Sequence, residues 1–190
     1  MSYQPRIQRN RPDALCDSLI AAVIAKAADE WKMPYEGEYP KTGFGITTLL
    51  PKSIATTNQA AAGLAGAEVV GSAAWGLSAL TLSTWTDWIN LSIDDRIRIV
   101  VEGIFDKTTT PHITAMRPKA NGQDYGVVNI EEMHTWEEPV AWFSKPFSVG
   151  PENNFTMRVL SDATIAGAPA ERIGLLGHTV AKLNYMILEA

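Results

Sequence analysis

The residues best equipped for chemistry in this chain are gathered in EEMHTWEE, Glu131 to Glu138. His134 with Glu137 or Glu138 has the ligand types for a divalent metal, and paired carboxylates suit acid–base work. Nothing nearby supplies a second ligand set, so the simpler reading is a solvated acidic loop. His112 and His178 are far from His134 in sequence, and no HxH or HExxH pair exists. Ser72, in the run from Gly71 to Gly76, lacks the G-x-S-x-G spacing that exposes a nucleophile on a sharp turn. No glycine-rich loop precedes a Lys-Ser/Thr pair, which disfavours nucleotide hydrolysis. The single cysteine, Cys16, has apolar neighbours and reads as a buried thiol. The expectation is a protein that is not an enzyme, with no catalytic residue, metal ligand, cofactor or small-molecule substrate.

Two other groups of residues suit binding. Arg6, Arg9 and Arg11 stand in the first twelve residues with no acid among them. The whole chain has a net charge of −5, which leaves −8 for residues 13–190. The molecule as a whole is therefore no polyanion binder, but its basic arm is a candidate contact for anionic lipid, nucleic acid or an acidic subunit. The chain also has six tryptophans. Trp85 and Trp88, in STWTDWIN with Asp87 and Asn90, have the make-up of a platform for stacking on sugar rings. More often such residues fill a sandwich core or an interface, where large aromatic area contributes most.

These groups need elements to position them. In DALCDSLIAAVIAKAADEW, Asp13 to Trp31, apolar residues recur at helical spacing: Leu15, Cys16, Leu19, Ile20, Val23, Ile24 and Ala27. Pro12 or Asp13 marks the start. This amphipathic face requires a cover, which the body, a partner subunit or a lipid surface can provide. Leu15, Leu19, Ile20, Val23 and Ile24 are its candidate contact residues. The Gly- and Pro-rich run Lys32–Gly45 then breaks the pattern.

Beyond it the period becomes two. Arg96–Phe105 reads as a strand with Ile97, Ile99, Val101 and Phe105 on one face and Arg98, Val100, Glu102 and Ile104 on the other. Phe155–Leu160 alternates likewise, and so does the run from His178 to Ala190, with Leu183, Tyr185 and Ile187 on one face. Further strands are expected at Ile46–Leu50, Leu80–Ile89, His112–Met116, Tyr125–Ile130 and Val140–Val149. Turns fall at Thr110–Pro111, Asn121–Gly122 and Gly150–Asn154.

The stretch from Ala60 to Trp85 is long and almost uncharged, but Glu68 interrupts it and Ser72, Ser78, Thr81, Ser83 and Thr84 follow. A carboxylate centred in a bilayer costs roughly 2.5–3.5 kcal/mol. The stretch therefore reads as protein-packed, with a small-residue loop or short helix at Asn58–Ala67 and a strand at Glu68–Trp75.

About eight punctuated strands without helices between them exclude a parallel α/β sheet. The expected fold is mainly β: an antiparallel β-sandwich or jelly roll with an N-terminal amphipathic helix. Its parts are a basic arm over residues 1–12, the helix over 13–32 and the sandwich over 33–190. Charged residues make up only 19% of the chain, below the usual quarter, which favours homo-oligomerisation.

The arm RIQRNR, the helix ALCDSLIAAVIAKA and the closing strands around PFSVGPENNFTMRVLSD and TVAKLNYMILEA together give a chain that resembles the single jelly-roll capsid proteins of icosahedral viruses, especially membrane-containing phages. The resemblance is architectural and covers most of the chain. It implies a structural virion protein that self-assembles into a shell, located in the virion beside other virion proteins. Its N-terminal residues would reach toward membrane lipid, nucleic acid or an adjacent subunit. A carbohydrate- or receptor-binding sandwich built on Trp85 and Trp88 is the alternative.

Overall fold

A computed structural model describes residues 6–50, 75–77, 79–151, 153–166 and 171–183. The helix α1 spans Asp13–Trp31. The Pro12 carbonyl accepts the first helical bonds from the amides of Leu15 and Cys16, and Asp13 places an acid at the positive end of the dipole. Lys32 ends the helix in the left-handed region, at φ 53°, and Met33-Pro34 prevents its continuation. In the connector that follows, the Glu36 carboxylate accepts from the amides of Lys41 and Thr42 and from the Thr42 hydroxyl, which closes the loop.

Ten strands are present among the described residues. They are β1 (Ile7–Gln8), β2 (Phe44–Thr48), β3 (Trp85–Ser92), β4 (Ile97–Asp106), β5 (Ile113–Ala120), β6 (Gln123–Asp124), β7 (Val128–Asn129), β8 (Val140–Val149), β9 (Asn154–Ser161) and β10 (Ile173–Lys182). They form two antiparallel sheets, in the orders β1-β8-β4-β10-β2 and β3-β9-β5-β6, with β7 also on β5.

These orders follow from one long antiparallel ribbon rolled over on itself. With the short pieces β6 and β7 taken as one strand, eight strands run from β2 to β10. The first pairs with the eighth (β2 with β10), the second with the seventh (β3 with β9), the third with the sixth (β4 with β8) and the fourth with the fifth (β5 with β6 and β7). Rolling the ribbon adds β10 to β4 and β9 to β5. This is the jelly roll that the turn spacing predicts. The strand β1 is an addition, laid along the free edge of β8.

The sheets close on a core that includes Trp88, Ile99, Val101, Ile104, Phe143, Phe147, Phe155 and Met157. The outer face of the first sheet is also apolar. Phe44, Ile46, Val100 and Val180 are covered there by Val23 and Ala27 of α1, with Leu19, Ile20, Ile24 and Trp31 at the margin. With both faces covered, β4 is buried along nearly its whole length.

Several expectations need correction. The β4–β10 pairing slips between Val101 and Gly103, where Glu102 is the extra residue of β4, and the β4–β8 pairing is irregular at the same point with the additional residues on β8. The bulge shifts the alternation by one. Ile104 therefore joins Ile97, Ile99 and Val101 in the core, while Phe105 is half-buried. The strand expected at Tyr125–Ile130 is reduced to Val128–Asn129, and the one expected at Leu80–Ile89 begins only at Trp85 and runs to Ser92. The last described strand starts earlier than its visible alternation, at Ile173. The features expected at Asn58–Ala67 and over most of Glu68–Trp75 lie outside the described residues, as do Asn184 to Ala190. Among the described residues, no helix is long and apolar enough to cross a membrane.

Candidate functional site

The bulge of β4 builds the main charged cluster. Glu102 is almost fully enclosed beneath the start of α1. Its Oε2 accepts from Arg11 Nε at 2.7 Å, and its Oε1 lies 2.8 Å from His178 Nδ1 on β10. Burial works to raise the Glu102 carboxyl, but the His178 and Arg11 hydrogen bonds outweigh it and bring it down to about 2. Arg11 also reaches Asp13 at 2.9 Å and Asp17 at 3.0 Å, and the Glu102 bond is the largest influence holding its guanidinium in the charged form.

Cys16 lies in this cluster. Burial, aided by the Glu102 carboxylate, pushes its thiol up to about 11. A thiol that stays protonated at neutral pH is a poor nucleophile. The arrangement can hold the N-terminal segment in place, and nothing in it activates Cys16.

The three arginines therefore have different fates. Arg11 is committed to carboxylates of its own chain. Arg9 lies 5.1 Å from the centre of the Trp136 ring. Arg6 is exposed, and its backbone exchanges hydrogen bonds with Ser144. Residues 6–12 are thus a strap along β8, where the charge pattern had suggested a free arm.

A second cluster lies at the far end of β4. Asp106 is buried, with His134 Nε2 at 3.3 Å from its Oδ2, and its Oδ1 accepts from the Thr108 amide. Glu171 is fully buried, and its Oε1 accepts from the His112 amide at 2.6 Å. Burial is the main cause that raises the Glu171 carboxyl, and the charge of Asp106 adds to it. His134 accordingly turns to Asp106, while Glu137 and Glu138 are exposed. Among the described residues, no group of three or more His, Cys, Asp or Glu side chains is placed to hold a metal ion. Asp106 and Glu171 were missed by sequence reasoning because they lie 65 positions apart and meet only through the β4–β10 pairing.

No family model, curated protein or solved structure matches this chain.

The sugar platform fails at one of its two residues. Trp88 is fully buried, with Trp75 edge-on at 6.2 Å between ring centres, whereas Trp85 is half-buried. The β3–β9 register slips between Asp87 and Ile89, so Trp88 and Ile89 both enter the core.

The outer face of the second sheet is charged instead. Arg117 and Arg158 sit directly opposite each other on β5 and β9. Like charges in register destabilise a strand pair. Here each is offset by an acid, Asp124 at 2.6 Å from Arg117 and Asp87 at 2.9 Å from Arg158.

The apolar helix residues divide in a similar way. Val23 is buried against the sheet, Leu19, Ile20 and Ile24 are half-buried on it, and Leu15 is 54% exposed. Of the coverings open to this face, the chain's own body supplies the one over Val23. The large apolar side chains left exposed lie mostly elsewhere. Met33, Tyr35 and Tyr39 share the connector between α1 and β2, and Tyr39 is 76% exposed.

Proposed function

We propose that this chain is a structural virion protein, a jelly-roll subunit that self-assembles into an icosahedral shell. A fold alone does not assign a function. The observation that carries the reading is the set of large apolar side chains exposed among the described residues. The charged clusters are largely spent on holding the strap and the sheets. Met33, Tyr35 and Tyr39 crowd one exposed connector, a composition typical of the core of a subunit contact. Symmetric association requires only such a patch and its complement on another copy.

The test is the solution mass of the full-length protein, with negative-stain imaging alongside. Discrete multi-subunit particles are expected. The Met33→Asp/Tyr39→Asp double variant should return the mass to one protomer with an unchanged melting temperature. A monomer at every soluble concentration would overturn the reading. Deleting residues 1–31 is a poor test, because it would uncover Phe44, Ile46, Val100 and Val180 and leave Glu102 without Arg11.

A further inference from the structure

Arg98 projects from β4 under the C-terminal half of α1, with only 4% of its side chain exposed. A guanidinium offers five N–H donors. Among the described residues, Arg98 pairs with Glu30 through Nη2 and lies 5.9 Å from the Trp31 ring centre, and its buried Nε has no hydrogen-bond partner. Its Nη1 faces Gly150 in the β8–β9 loop, 3.4 Å from where a Cβ there would stand. Burial pulls this guanidinium below its ordinary value, as expected of a cation short of partners. A buried polar group left so poorly satisfied calls for a physical explanation.

A cleft of about 390 Å³ opens beside it, between α1 and the loops that follow β5 and β8. That volume suits a small molecule. Arg98, Lys26 and Ser148 line it with donors, and Leu19, Ala22 and Val23 form an apolar wall. Among the described residues Glu30 is the one acid on its rim, and Lys26 Nζ lies 3.9 Å from it. Among these described residues two cations and one anion leave one positive charge in excess. A monoanion would neutralise that excess, whereas a phosphate dianion would meet Glu30.

We propose that this cleft binds a small organic monocarboxylate, its carboxylate held by Arg98 and Lys26 and its apolar body resting on Leu19, Ala22 and Val23. The site does not depend on the shell-protein reading. It also departs from the expectation of a chain without small-molecule ligands, which no sequence motif could have signalled.

The probe is 3-methylbutanoate, titrated against the full-length protein and followed by amide chemical shifts and by melting temperature. Saturable shifts at Lys26 and Gly150 are expected, with weaker binding of acetate and none of 3-methylbutanol. Lys26→Gln should weaken binding about tenfold, the lower end for loss of one charge-assisted hydrogen bond, since Lys26 is exposed. Ala22→Phe changes an exposed helix position that borders the cleft, so the protein should still fold and binding should be lost. Absence of a saturable shift would overturn the proposal. So would phosphate binding as tightly as the carboxylate, the alcohol binding equally well, or undiminished binding in Ala22→Phe.

Discussion

Arg11 Nε donates to Glu102 Oε2 at 2.7 Å across 91 positions of sequence, joining the N-terminal strap to the middle of the first sheet. Against β10, β4 carries one residue too many at this point, and that residue is Glu102. Without the bulge, the alternation that buries Val101 would continue undisturbed through Gly103. With it, Glu102 occupies the extra position, where Arg11 and His178 converge. The irregularity thus sets the faces of Ile104 and Phe105, and the Arg11–Glu102 bond beside it ties the strap to the sandwich.

Removing the cation should therefore destabilise the fold more than a surface substitution would. Arg11→Met leaves a buried carboxylate with His178 as its remaining close partner, and breaking a buried pair on one side costs about 3–5 kcal/mol. Arg11 is itself a quarter exposed, so the lower end, about 3 kcal/mol, is expected in urea unfolding. Arg9→Met removes only a ring contact and should change stability by about 0.5 kcal/mol. Equal effects of the two variants would show that the Glu102 anchor carries no special weight.

The same cluster sets a pH window. Glu102 titrates at about 2 in the folded chain and near 4.5 when unperturbed. A depressed carboxyl contributes stability above its unfolded value and loses it as pH falls toward the folded one. The gap in melting temperature between wild type and Glu102→Gln should be widest near neutral pH. It should shrink from about pH 4.5 and nearly close by about pH 2. A gap independent of pH across that range would contradict the assignment.

Much of this architecture is legible in the sequence, and the illegible parts share a cause. Helix α1 follows from the spacing of Cys16, Val23 and Ala27, and β9 from strict alternation. The hairpin at Asn121–Gly122 follows from two residues that tolerate positive φ, here 51° and 74°. What period alone misses is the bulge. The extra residues Glu102 and Trp88 each shift a strand's facing by one, which turns Ile104 inward and places Trp88 in the core. The two charged clusters were invisible for a related reason, since Arg11, Glu102 and His178, or Asp106, His134 and Glu171, become neighbours only after the ribbon has rolled.

Burial of Trp88 gives a direct contrast with Trp85. Trp88→Ala removes a fully enclosed indole and should cost about 3–5 kcal/mol. Trp85→Ala, at a half-buried position, should cost about 1 kcal/mol. Indole emission should differ as well, with the blue-shifted component lost in Trp88→Phe. A red-shifted, readily quenched Trp88 would restore the sugar-platform arrangement that the fold removes.

Glu171 should behave oppositely to Glu102. Its carboxyl is raised, because burial and the charge of Asp106 outweigh the Thr108 and His112 hydrogen bonds. A raised group stabilises the fold below its unfolded value, and that contribution is lost as pH rises through the folded one. At neutral pH ionisation of this carboxyl therefore favours the unfolded chain, and Glu171→Gln should relieve that penalty. The glutamine oxygen can still accept from the His112 amide, and its NH₂ can donate where Oε2 has no partner among the described residues. Glu171→Gln should melt higher than wild type at neutral pH, by about 2–4 °C for each kcal/mol regained. The difference should vanish below about pH 4, where the glutamate is neutral in both states. A variant that melts lower than wild type at neutral pH would show that the charged form of Glu171 is the one the fold requires.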